Sequence, residues 1–134
     1  MQPKNFPRRA MFLLAGLCLA SASAVAQTFP SKQVNLMVPY PAGGLSDAIA
    51  RIVERPLTKA FGQQVIVENL GGVSGALGAQ KVLAAPADGH LIYQGSPNEL
   101  ILAPMALQAV KYKAEDFRMV QIIGAFPMAV LARK

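Results

Sequence analysis

Val38-Pro39-Tyr40-Pro41-Ala42-Gly43-Gly44-Leu45-Ser46-Asp47 is the stretch whose reading decides the fold of this chain. A short apolar run, Val34 to Val38, leads into it, and a helical pattern starting near Ser46 leaves it. Pro39 and Pro41 stiffen the turn, because proline fixes φ and removes a backbone donor. Gly43 and Gly44 permit backbone shapes closed to other residues and let a ligand come close to the main chain. Ser46 or Asp47 is placed to cap the helix, whose first amides carry partial positive charge. A strand, a glycine turn and a helix N-terminus together form an anion-sized pocket from backbone alone. The stretch therefore reads as half of a carboxylate-binding site, although turns of this kind often do nothing more than reverse the chain.

Upstream, residues 1–26 read as an export signal. Lys4, Arg8 and Arg9 form a positive start, Met11 to Ala20 an apolar segment, and Ala24-Val25-Ala26 a small-residue cleavage site, so the mature chain is expected to begin at Gln27. The apolar segment is too short to span a bilayer comfortably. Arg8-Arg9 fits a twin-arginine signal only loosely, which favours general secretion. Cys18 follows Leu17 rather than the small residue a lipoprotein signal wants, and it falls inside the apolar segment, leaving no cysteine for disulfides after cleavage. Of 13 basic residues, the three in the signal leave ten against seven acidic ones, so the net charge drops from +6 to +3. The remaining charges are scattered, with no basic run and no interleaved aromatic stripe, which argues against nucleic acid. A modest positive bias suits an anionic solute.

Downstream, residues 27–134 are enough for one domain. Val34 to Val38 reads as a buried parallel strand. From Ser46, the residues Ile49, Ile52, Val53, Leu57, Ala60 and Phe61 recur at helical spacing with Gly62 as a stop, Pro56 is expected to kink or interrupt the helix, and Arg51, Glu54, Arg55 and Lys59 form its solvated face. Gln64 to Glu68 predicts a second strand, followed by the glycine loop Gly71-Gly72-Val73-Ser74-Gly75. A short helix over about Ser74 to Ala84 is expected to bury Leu77, Val82 and Leu83. Pro86-Ala87-Asp88-Gly89 is a turn, His90 to Gln94 a third strand, and Gly95-Ser96-Pro97-Asn98 a third loop. A weak helix over Glu99 to Met105 follows, limited by Pro104. Lys111 to Phe117 reads as a polar surface connection, and Met119 to Ile123 and Met128 to Leu131 as two more strands. The alternation argues an α/β domain with a mainly parallel sheet, and all three glycine loops leave the carboxyl ends of its strands, where ligands sit in such sheets.

The chain offers no catalytic constellation. His90, the single histidine, reads as structural, no metal site is expected from so few of the usual ligands, and no serine lies in a nucleophile elbow. Asp47 and Glu68 could approach each other, but Asp47 reads rather as a helix cap that also meets ligand. Gly72, Gly75 and Gly78 miss the spacing that seats a dinucleotide pyrophosphate. No enzyme activity and no cofactor are expected.

Phe29-Pro30-Ser31-Lys32, the Val38 to Gly44 stretch with Asp47, Phe61-Gly62-Gln63-Gln64-Val65-Ile66-Val67-Glu68-Asn69, the glycines Gly71, Gly72, Gly75 and Gly78, Ala85-Pro86-Ala87-Asp88-Gly89, Gly95-Ser96, and Tyr112 with Asp116-Phe117 follow one another along the chain. In these residues and their order the chain resembles the Bug-type solute receptors of tripartite tricarboxylate transporters. It implies a periplasmic, monomeric, two-lobed receptor of the type II periplasmic-binding-protein class that closes on a small organic carboxylate and serves membrane transporter subunits. It further implies that Tyr40, Pro41, Ala42, Gly43, Gly44, Ser46 and Asp47 grip the carboxylate, that Gly95, Ser96 and Asn98 add to the grip, and that Gly71, Gly72, Ser74 and Gly75 shape the pocket wall. Leu45 stands where a smaller residue is common, Pro56 falls in a helix that is usually continuous, and the second lobe is missing. Residues 27–134 are thus expected to be the N-terminal lobe alone. A truncated receptor without binding activity and a free-standing interaction module are the alternatives.

Overall fold

The computed structural model describes residues 28–125 and 130–133; the expected export signal and its expected cleavage point before Gln27 lie outside them. Three strands, β1 (Val34–Val38), β2 (Val65–Asn69) and β3 (Leu91–Tyr93), form a parallel sheet in the order β2-β1-β3. Val34 lies opposite Val65 and Val38 opposite Asn69, while on the other side Asn35 lies opposite Leu91 and Met37 opposite Tyr93. The central place of β1 explains its composition. A strand covered on both faces has no use for polar alternation, and Val34, Leu36, Met37 and Val38 are all buried.

Helix α1 (Leu45–Phe61) packs Ala50, Val53, Leu57 and Phe61 against Val34, Leu36, Val38 and Val65. These positions recur every three or four residues and so share one face. Ile52, expected in that face, is exposed: it lies about 200° around the helix from Ala50. The expected break at Pro56 is also absent, for α1 runs through it. Pro56 sits on the exposed face, so the Ile52 carbonyl that loses its helical donor turns to water rather than into the core. Gly62 ends the helix in the left-handed region with φ 64°, its N–H donating to the Thr58 carbonyl.

Helix α2 (Ala76–Ala84) starts two residues later than expected and buries Ala76, Gly78 and Ala79 instead of Leu77 and Leu83, which are exposed. Small residues win here because the helix lies close to the first loop: a Cβ on Gly78 would stand 3.1 Å from the Leu70 carbonyl oxygen and 3.4 Å from Pro39. Beyond β3 the expected weak helix is split into a single wide turn, Asn98–Leu102, and a short helix α3 (Ala103–Ala106) that carries Pro104 in its first turn. Lys111 to Phe117 is an exposed connection, as expected, except at its two aromatic residues. Tyr112 is buried with Ala76, Ala79 and Val110, and Phe117 stacks on Tyr93 at 5.6 Å between ring centroids.

Met119 to Ile123 forms no strand and is largely exposed. Apolar content alone does not make a strand; the backbone needs a neighbour to bond to, and none is present among the described residues. The strand expected over Met128 to Leu131 falls partly outside the described residues, and Val130 and Leu131 within them are in no strand. Among the described residues, no helix is long and apolar enough to cross a membrane.

Candidate functional site

The three loops leaving β1, β2 and β3 meet at the carboxyl edge of the sheet. Gly44 is the N-cap of α1 and offers no side chain, so the expected capping by Ser46 or Asp47 gives way to a different device. Asp47 Oδ2 accepts from the backbone N–H of Gly43 at 2.9 Å and from Arg51 Nε at 3.0 Å, one turn further on. Asp47 Oδ1 accepts from Asn69 Nδ2 at 3.1 Å, and the same amide donates to the Tyr40 carbonyl at 3.1 Å. With Arg51 contributing most, then Gly43, these donors hold the Asp47 carboxyl down at about 2.

That arrangement leaves the helix end open. The first helical bond runs from the Ala48 N–H to the Gly44 carbonyl at 3.0 Å. The N–H groups of Gly44, Leu45, Ser46 and Asp47 precede it and have no intrahelical acceptor. Asp47 carries negative charge in the first turn, but Arg51 offsets it, so the dipole and free amides still favour an anion. Gly43, Gly44 and Leu45 are exposed. Gly43 has φ 85°, and nothing lies within 4 Å of where its Cβ would stand.

The second loop packs beside the first. Gly72, Val73, Ser74 and Gly75 all have positive φ, Val73 and Ser74 included. A Cβ on Gly75 would stand 3.0 Å from Glu99 Cβ and 3.2 Å from Pro39 Cβ, and one on Gly71 would stand 3.4 Å from Pro41 Cδ. Gly71 and Gly75 thus pack against the first loop and Glu99, while Gly72 and Ser74 are exposed. The first and third loops are joined by Gln94, whose Nε2 donates to the Ser46 carbonyl at 2.8 Å.

Glu99 is the residue that the sequence reading missed. It is fully buried. Its Oε2 accepts from the Tyr40 hydroxyl at 2.8 Å and from Ser96 Oγ at 2.8 Å, and its Oε1 accepts from the Ser96 N–H. Tyr112 donates its hydroxyl to the Glu99 carbonyl at 2.6 Å. Burial, and then the negative charge of Glu99, push the Tyr93 phenol up, and the same two causes act on Tyr112. Asn98 Nδ2 donates to the Tyr40 hydroxyl oxygen at 3.2 Å and to the Ser74 carbonyl at 3.4 Å, so it touches all three loops. Gly95 sits between Tyr93 and Leu100, with its Cβ position under 3 Å from both side chains. An acid set between Asn98 and the apolar run Leu100-Ile101-Leu102 is the signal that could have marked Glu99.

Other expectations resolve simply. Glu68 pairs with Lys81 rather than approaching Asp47. His90 Nε2 accepts from the Ser31 N–H at 3.2 Å, and its ring packs edge-on against Phe29. Among the described residues no group of His, Cys, Asp and Glu could hold a metal ion.

Residues 49–134 match the family described as "Tripartite tricarboxylate transporter family receptor". The chain belongs to this family. The match begins just past Asp47, but whole-sequence relatives extend over the first loop. One of them, the "UPF0065 protein in the TAR-I ttuE-ttuC' intergenic region" of Agrobacterium vitis, is 37% identical over 91% of this chain and 35% of its own length. Protein BugT of Bordetella pertussis is 29% identical over 90% of this chain and 39% of its own. The chain thus spans a little over a third of the curated relatives it matches. Among solved structures, MatC from Rhodopseudomonas palustris with bound malate superposes with a TM-score of 0.63 at 32% identity, covering 66% of this chain and 31% of that one. The three-stranded sheet flanked by helices is accordingly an α/β lobe of the periplasmic-binding-protein kind.

Proposed function

We propose that residues 27–134 form the N-terminal lobe of an exported periplasmic receptor for a small carboxylate-bearing metabolite, which it delivers to the membrane subunits of a tripartite tricarboxylate-type transporter. The observation that carries this reading is the open N-terminus of α1. Asp47 is pinned by Arg51, Asn69 and the Gly43 N–H, and the amides of residues 44–47 face the carboxyl edge with no helical acceptor. The malate-bound relative adds support, since malate is a small dicarboxylate. Tyr40 to Gly44, Ser46 and Asp47 form the grip, and Gly71, Gly72, Ser74 and Gly75 the wall. Gly95, Ser96 and Asn98 set the third loop beside the grip, and Ser96, which gives both its N–H and its hydroxyl to Glu99, meets a solute only through an oxygen lone pair. The receptor acts by binding, with no chemical step assigned to any residue.

The test is calorimetry on protein purified from the periplasm, titrated with di- and tricarboxylates including malate, after a cooperative melt has been recorded. Mass spectrometry of the same sample should give a chain beginning at Gln27. Saturable heat with at least one acid is the expected result. A cooperative melt without heat from any acid would sink the reading and favour a receptor fragment that does not bind.

A further inference from the structure

Two carboxyl groups are buried among the described residues, Asp47 and Glu99, and they are served differently. Asp47 has Arg51 as a countercharge. Glu99 has none: among the described residues no Lys, Arg or His forms an ion pair with it. Its donors are the Tyr40 hydroxyl, the Ser96 hydroxyl and the Ser96 N–H.

A carboxylate only accepts hydrogen bonds. Both hydroxyl protons therefore point at Glu99, and what Tyr40 and Ser96 can offer to a neighbour is oxygen lone pairs. Asn98 occupies one on each, its Nδ2 donating to Tyr40 and its N–H to Ser96 Oγ at 3.3 Å. Ser96 Oγ keeps a second lone pair for one more donor, while the Tyr40 oxygen, converging on the same Oε2, can take a donor in place of Asn98. The uncompensated charge beneath acts in the same sense, because in a poorly solvated setting it repels a second anion and attracts a cation.

We propose that Glu99 is a specificity-determining positioning residue: it turns the Tyr40–Ser96 side of the site into an acceptor surface, so the solute bears a hydroxyl or ammonium donor in addition to the carboxylate held at α1. The inference rests on the carboxylate-receptor reading above and names the solute class within it. Glu99 itself touches no solute and acts through the two hydroxyls.

Succinate, malate and aspartate share one four-carbon diacid skeleton and differ by a hydrogen, a hydroxyl or an ammonium group at one carbon. Calorimetry with these three, and with matched sets of five- and six-carbon acids, reads the donor's contribution directly. Malate or aspartate, or their longer counterparts, should bind about tenfold more tightly than the unsubstituted acid, the worth of one good hydrogen bond. Aspartate ahead of malate would trace the preference to the charge of Glu99, and equal affinities to the lone pairs, both in support. In Glu99→Gln the amide oxygen stays on the Ser96 N–H, so the amide nitrogen takes the place of Oε2 and donates to both hydroxyls, their protons turn outward, and the ratio should fall toward one. A purely structural role would weaken all acids alike and leave the ratio unchanged, which would overturn the proposal. Tyr40→Phe, which removes one acceptor, should also lower the ratio and serves if Glu99→Gln fails to melt cooperatively. Equal binding of substituted and unsubstituted acids by the unaltered protein would overturn the proposal while leaving the carboxylate receptor standing. No heat with any acid would remove both.

Discussion

The first loop holds its shape with backbone groups and an ion pair that Arg51 keeps at the surface, whereas the third loop is tied by side chains to a carboxylate that no water reaches. Both lie at the carboxyl edge and both centre on an acid. The first leaves its amides open to the outside, and the third uses its hydrogen bonds to hold a closed hub. An exposed loop tolerates change in shape but not in conformation; a buried hub tolerates neither. The two ends should therefore fail in different ways when altered.

The largest effect should come from the hub. Glu99→Ala removes the acceptor shared by the Tyr40 and Ser96 hydroxyls and the Ser96 N–H and leaves a cavity beneath them, and should lower stability by about 3 kcal/mol, read as the shift in a urea unfolding curve. A loss under about 1 kcal/mol would mean that water replaces the carboxylate easily and that the hub is less closed than its burial indicates. Next comes a pair of glycines that separates crowding from backbone strain. Gly75→Ala meets both, with φ 87° and Glu99 and Pro39 in the way, and should cost about 2 kcal/mol. Gly43→Val meets only the positive φ, so it should cost about 1 kcal/mol while abolishing carboxylate binding. Equal melting temperatures for the two variants would erase the distinction between grip and hub.

A smaller change is expected from Pro56→Ala, which returns a helical hydrogen bond on the exposed face of α1 and should raise stability by about 1 kcal/mol in the same unfolding assay. The gentlest probe is pH. The folded carboxyl of Asp47 sits at about 2, below the ordinary Asp value near 4. Its contribution is thus complete above about pH 4 and fades as pH falls toward about 2. Asp47→Asn should flatten the unfolding midpoint across that window and leave the midpoint above pH 5 nearly independent of pH. A variant that kept the parent's acid slope would show that other carboxylates set it.

The strand–turn–helix shape of the first loop was legible in the sequence because its materials are glycine, proline and a helix start, whose conformational preferences act locally. The strands β1, β2 and β3 were legible for a related reason, as short apolar runs between turn residues. The hub was not. Glu99 looks like an ordinary helix-start acid until the fold brings Tyr40 to it from 59 positions away along the chain. Tyr112 and Phe117 were read as surface for the same cause, since only their packing on Glu99, Ala76 and Tyr93 explains them. Ile52, Leu77 and Leu83 erred the other way, where hydrophobicity predicted burial and helix phase or the closeness of Pro39 decided against it. Pro56 shows that a breaker acts only where its orphaned carbonyl has no water.

The strand order carries a consequence for how the chain reaches this shape. β1 is made first but lies in the middle, so it can be satisfied only by segments that emerge later, β2 and then β3 from nearly twice as far along the chain. Until the second of them arrives, Val34-Asn35-Leu36-Met37-Val38 has an open edge, and that apolar five-residue run is the natural place for one molecule to stick to another. Passage through a membrane unfolded and in sequence order, which the proposed export requires, would prolong that interval. The rate at which residues up to Tyr93 follow β1 into the open, more than the final stability, would then set how much of the protein is lost to clumping.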